Sequence, residues 1–290
     1  SDWARPKSQP APPVTTTPIP RGPDRLLVTM ILALTGFGAV MVFSAGAAFA
    51  AKTYGDWTYF LKREAAYGTA GLLAFAVGMR LDYSVYRRLT YPLLFLSVAL
   101  LALVLKLGPT INGAVRWFRL GGFSFQPSEL AKFALVLYLA VLLARKAEKV
   151  KDFSIGFLPP LVMTGVFLVL LLKQPDLGTA VIIGVTALGL LFVAGTRTSY
   201  ILLCVLTAAP LGWKLFIAGE PWRMRRFMAF LYPWQYRRDS GYQLYESLLS
   251  VGSGGTFGQG LGQGHQKLFF LPEAHTDFIL AIVGEELGLV

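Results

Sequence analysis

The chain has 290 residues, 54% of them hydrophobic and 15% charged, with a mean hydropathy of +0.55 and a formal charge of +11. A soluble globular domain carries about 25% charged residues, so this composition excludes an ordinary soluble domain and indicates an all-α polytopic membrane protein. Basic residues in short loops and near headgroups account for the positive charge without nucleic acid, and the single cysteine, Cys204, excludes an internal disulfide framework or a Cys-based metal site.

Residues 1–25 are rich in Pro and Thr and have no apolar run, so they read as a disordered cytoplasmic tail, either a tether or a partner-docking segment, and not as a signal peptide. A membrane domain over 26–290 follows. Crossing the hydrocarbon core takes about 20 apolar residues. Blocks at 26–50, 64–80, 91–107, 129–144, 155–172, 177–194 and 199–218 are therefore predicted spans. An eighth begins near 277 and stops with the chain, so the natural protein is expected to continue. With the N-terminus inside, the inner short segments hold Arg5, Lys7, Arg21, Arg25, Arg80, Arg87, Arg88, Arg145, Lys146, Lys149, Lys151 and Arg197. The outer ones hold Lys52, Lys62, Arg63, Arg116, Arg119 and Lys173, a bias of about two to one for a cytoplasmic N-terminus. The segment 219–276 then becomes a large loop outside the membrane, between the seventh and eighth spans, and long loops commonly carry function.

Polar constellations interrupt the apolar blocks. In "INGAVRWFRLGGFSFQPSELAK", Asn112-Gly113 reads as a turn, and Pro127 opens a helix with Glu129 in its first turn. Glu129 and Lys132 share a helix face, as an ion pair between helices or as part of a wet substrate cavity. "KQPDLGT", Lys173 to Thr179, reads as a capped turn. "PWRMRRFMAFLYPWQYRRDSGYQLYES" interleaves Arg with aromatics, as an interfacial helix meeting phosphate headgroups would. "VGSGGTFGQGLGQGHQK" is glycine-rich without a Walker pattern and defaults to a flexible loop able to approach an anion closely. Asp277 sits where the last helix should start, and capping and catalysis are equally open to it. Eight residues on, about 12 Å along a helix and within about 80° of the same face, Glu285 would mark the depth of one polar stripe.

Four of these stretches carry a resemblance. "NGAVRWFRLGGFSFQPSELAK", "QPDLGT", "GYQLYESLLSVGSGGTFGQGLGQGHQK" and "LPEAHTDFILAIVGEELG" resemble, in order, the motifs of the SEDS family, most closely its cell-division branch and next its rod-shape branch. The family fold has about ten transmembrane helices, of which this chain would hold about seven and the start of an eighth. The resemblance implies a peptidoglycan glycosyltransferase polymerising lipid II, an undecaprenyl-diphosphate-linked substrate, on the outer face of the bacterial cytoplasmic membrane at the division septum. It implies Asp277 as the catalytic carboxylate and as a ligand of a divalent cation, Mg2+ or Mn2+. It places the family's buried acid–base pair at Glu129 and Lys132. Substrate contacts are expected further from Arg116, Lys267, His275 and Glu285, and from Arg223 and Arg226 toward diphosphate, with Arg225, Arg237 and Arg238 as additional sources of positive charge. Implied partners are a class B penicillin-binding protein (the division transpeptidase FtsI), the divisome proteins FtsQLB and FtsN, and membrane lipids. A lipid II flippase and a non-enzymatic divisome scaffold are the alternatives.

Overall fold

A computed structural model describes residues 23–110, 113–120 and 123–289. The predicted tail up to residue 22, and Asn112 of the predicted turn, lie outside the described residues. The described residues divide into two compact units, one built from 23–79 and 246–289 and the other from the described part of 80–245.

The first unit begins with α1 (Arg25–Tyr54), whose start is fixed by the Asp24 carboxylate accepting the Leu26 and Leu27 amides. It stops at Gly55, whose φ of 70° needs the missing Cβ. After the short turn come α2 (Tyr59–Arg80) and, in the second unit, α3 (Tyr83–Leu107), which Asp82 caps through the Ser84 amide at 2.8 Å. Strands β1 (Phe118–Leu120) and β2 (Phe123–Phe125) pair antiparallel with Phe118 opposite Phe125. Pro127 then opens α4 (Pro127–Arg145) as predicted. A π-helical turn at Phe153–Phe157 leads into α5 (Leu158–Lys173), and Asp176 caps α6 (Leu177–Val193) through Thr179. The chain continues with α7 (Thr198–Gly212), which ends in a π-helical turn at Trp213–Ala218, then α8 (Pro221–Leu231) and α9 (Tyr242–Gly254). The boundary between the units falls inside α9. The last helix, α10 (Ile279–Leu287), returns to the first unit.

The seven predicted spans all coincide with helices. Among the described residues, five helical segments are long and apolar enough to cross a membrane: Arg25–Tyr54, Tyr83–Leu107, Pro127–Arg145, Phe153–Lys173 and Thr198–Ala218. The other two differ for visible reasons. The first turns of α2 carry Lys62, Arg63 and Glu64, and α6 has 17 residues. This is an all-α membrane architecture. Leu202, Leu203 and Leu206 of α7 are exposed, which suits lipid rather than water. Within the second unit α3, α4, α5 and α6 bury one apolar core around Leu101, Leu139, Phe167 and Leu191. The first unit has its own, in which Met41 and Ala45 of α1 meet Leu271, Ala274 and the α10 residues Ala281 and Ile282.

Candidate active site

The segment between α9 and α10 is glycine-rich, and such a chain has high conformational entropy unless something holds it. The two acids of α10 do so. Glu285 and Glu286 are each 1% exposed. Neighbouring positions on a helix point about 100° apart, so the two carboxylates reach different partners. Glu285 accepts the backbone N–H of His265 at 2.7 Å and of Gln266 at 3.3 Å, and the Ser250 hydroxyl at 3.1 Å. Glu286 accepts the Lys267 ammonium at 2.6 Å and the Ser44 hydroxyl at 2.8 Å. Lys267 also donates to the Gly262 carbonyl at 2.8 Å and to Ser44 at 3.0 Å, so the three donors of its ammonium are all engaged. The Gln259 and Gly260 amides donate to the carbonyls of Glu285 and Glu286, both at 2.9 Å. The expected flexible loop is therefore sewn to α10 by backbone and side chain together.

Glycine is required where this seam is tightest. A Cβ on Gly254 would collide with the Gly284 carbonyl, and Gly258, at φ 75°, has the Glu286 carbonyl in the same position.

Beyond the seam the loop forms a cleft of about 200 Å³ against α1. Phe49, Phe269 and Leu271 contribute apolar walls, and Lys267, Glu273 and His275 contribute polar groups. His275 stacks on Phe49 at 5.2 Å and sits 4.4 Å from the Phe60 ring. Burial among these rings holds its pKa below the ordinary 6.5, with Glu273 pulling weakly the other way. Lys52 lies 4.3 Å from the centre of the Phe269 ring with its ammonium exposed. Phe269 and Glu273, which both line the cleft, adopt left-handed backbone conformations, φ 70° and 55°, a strained geometry for residues other than glycine.

Two residues after His275 comes Asp277. It is exposed, and among the described residues its carboxylate has no hydrogen-bond or ion-pair partner. It does not cap α10, which starts at Ile279 with Phe278 at the cap position. The turn before the helix is closed instead by the Thr276 and Phe278 amides donating to the Glu273 carbonyl. Asp277 and Glu285 thus do not form one helical stripe, because Asp277 lies outside the helix. The capping role falls away and the acid is left free for chemistry.

The structure assigns several predicted substrate residues to other contacts. Lys267 and Glu285 are consumed in anchoring the loop. In the second unit Arg116 donates to the carbonyls of Gln174 (3.3 Å) and Pro175, and lies 3.9 Å from Asp176. It latches the turn before α6, which is the capped turn expected of "KQPDLGT". Glu129 and Lys132 pair at 2.8 Å on one face of α4, with Glu129 60% exposed and Lys132, at 33%, lining a small cavity against α6, so the expected buried pair is only half-buried. Position explains this, since both lie in the first two turns of the helix. Arg223 donates to the Phe216 carbonyl at 3.0 Å and stacks 5.0 Å from Trp222, while Arg226 is exposed 5.9 Å from the same ring. Arg225, Arg237 and Arg238 are exposed. Ser44, Glu286, Lys52, Phe49 and Phe60 were missed by sequence reasoning. The one signal for Glu286 was a second acid beside Glu285 in an apolar helix, where each charge requires a partner.

Among the described residues no three His, Cys, Asp or Glu side chains cluster closely enough to hold a metal. A lone carboxylate such as that of Asp277 is compatible with Mg2+, an ion that takes most of its oxygens from phosphates and water.

An all-α, multi-pass membrane protein with a free aspartate on a loop clamped to the helix that follows it is the class that fold and site define. A family model described as cell cycle protein matches residues 24–290. The chain belongs to this FtsW, RodA and SpoVE family, in agreement with the resemblance carried by its four motifs. It is 48% identical over 269 residues to the probable peptidoglycan glycosyltransferase FtsW of Geobacter sulfurreducens (strain DL-1 / KN400), covering 92% of this chain and 72% of that protein. Its structure is similar to a chain of a peptidoglycan synthase complex that coordinates polymerization and crosslinking, with a TM-score of 0.68, 29% identity and coverage of 91% and 71%. It is also similar to a mutant of the rod shape determining protein RodA of Thermus thermophilus, with a TM-score of 0.57, 28% identity and coverage of 92% and 68%.

Proposed function

We propose that the chain is a peptidoglycan glycosyltransferase that polymerises lipid II into glycan strands during septal wall synthesis. The observation that carries this is the exposed, unpartnered carboxylate of Asp277, two residues along the chain from His275 of an aromatic-walled cleft, in a chain close in sequence to proteins named for that activity. A sugar hydroxyl attacking an anomeric carbon must lose its proton, and the Asp277 carboxylate is the acceptor. General-base help of this kind contributes about 10²–10⁴-fold. The departing group is a lipid diphosphate, which needs positive charge. In the first unit Lys52 supplies it, since Lys267 is already engaged. Phe49 and Phe269 offer apolar surface to the sugar rings and the first isoprene units. Asp277 would hold a divalent cation, Mg2+ or Mn2+, jointly with the diphosphate, and that ion would neutralise charge on the leaving group.

The loop between α7 and α10 lies on the outer face in this reading, with the N-terminus cytoplasmic, so that a polyprenyl tail stays in lipid while the sugars react in water. The similarity to a chain of a peptidoglycan synthase complex supports a penicillin-binding-protein partner; in this reading that partner is the class B transpeptidase FtsI, and FtsQLB and FtsN join the wider assembly.

The test uses the full-length protein with its cognate transpeptidase, lipid II and Mg2+ or Mn2+. Glycan ladders should appear with wild type and fall at least about 100-fold with Asp277→Asn. Equal ladders from both would remove Asp277 from the mechanism.

A further inference from the structure

We propose that a groove between the start of α3 and the end of α4 is a binding site for one anionic phospholipid. The groove has a volume of about 450 Å³ and lies wholly within the second unit. Leu137, Ala140, Val141 and Ala144 follow the i, i+3, i+4, i+7 spacing that places them in one stripe of α4. The two alanines leave the depression, and Tyr86 of α3 walls it. An apolar trough of this form suits an acyl chain.

The rim is charged. Arg87 and Arg145 both line the groove, both are exposed, and among the described residues neither guanidinium has a hydrogen-bond or ion-pair partner. No acid lines it. The nearest acid along α3, Asp82, is committed to the Ser84 amide. Arg80, Arg88 and Lys146 flank the groove in sequence and raise the local positive potential. An unpaired arginine at each lip of an apolar trough complements a molecule with one greasy end and one anionic end. A free phosphate would leave the trough empty, and a zwitterionic lipid would bring a repelled ammonium to the arginines. Basic pockets between transmembrane helices bind anionic headgroups for this reason. Arg145 also ends α4, where the carbonyls of the last turn favour a cation and keep its side chain at the rim.

Delipidated full-length protein in neutral detergent, titrated with phosphatidylglycerol or with phosphatidylcholine of the same acyl chains, tests the site by native mass spectrometry. Phosphatidylglycerol should be retained in preference to phosphatidylcholine. Each basic residue at an anionic headgroup contributes about fivefold, so Arg87→Gln with Arg145→Gln should weaken retention by about thirtyfold. Ala144→Trp should fill the trough and abolish retention with the arginines still in place. Melting curves of both variants without lipid should match wild type, which shows that they fold. Equal retention of the two lipids, unchanged retention by the arginine variant, or competition by glycerol phosphate as strong as by the lipid would overturn the proposal. So would an Ala140→Cys photocrosslink in native membranes that captures a protein instead of lipid.

Discussion

Glu286 is sealed from solvent, so its charge depends on two groups, Lys267 and Ser44. Removing one partner of a buried pair costs about 3–5 kcal/mol, because the remaining charge is stranded. Lys267→Met should therefore lower stability in chemical unfolding by about that amount, and adding Glu286→Leu should restore most of it. His275 sets a pH dependence. Its pKa is lowered in the folded chain, so its contribution is complete above 6.5 and is lost as the pH falls through the folded value. Wild type should melt at a lower temperature at pH 5 than at pH 7.5, and His275→Phe, which keeps the aromatic stack, should flatten that difference. At this scale the free acid was legible only through its motif, because in a single sequence nothing distinguishes a capping aspartate from a catalytic one. The anchoring role of Lys267 was hidden because its partners, Ser44 and Glu286, lie 223 and 19 residues away along the chain.

Helices α9 and α10 approach closely enough that Gly254 has no room for a side chain, whereas Gly252, two residues earlier, faces open space. Gly252→Ala should be neutral or stabilising by up to about 1 kcal/mol through helix propensity. Gly254→Ala should displace α10 and cost both stability and glycan synthesis, and melting curves beside ladder gels would separate the two. The long helices were readable because an apolar block near membrane length has few other ways to satisfy its backbone. Helix α8 was readable from Arg set among aromatics. Helix α9 was not, since "YQLYESLLSVGSG" mixes polar residues and glycines without a continuous apolar block. The three-residue strands β1 and β2 are too short for any alternation to register.

For the molecule as a whole, the spans and the charge bias imply a cytoplasmic N-terminus. In a Cys204→Ser background, Thr53→Cys should react with an impermeant maleimide on intact spheroplasts, and Glu148→Cys only after permeabilisation. The reverse pattern would invert the topology and move the Asp277 loop to the other face. One feature of the first unit also governs when the site can come into being. The amide of His265 is held by a carboxylate 20 residues further along the chain. During synthesis at about 5–20 residues per second, that carboxylate leaves the ribosome about 1–4 seconds after the amide it must capture. Until then the glycine-rich loop lacks the carboxylate that holds it, and a nascent chain stalled within that interval cannot close the clamp.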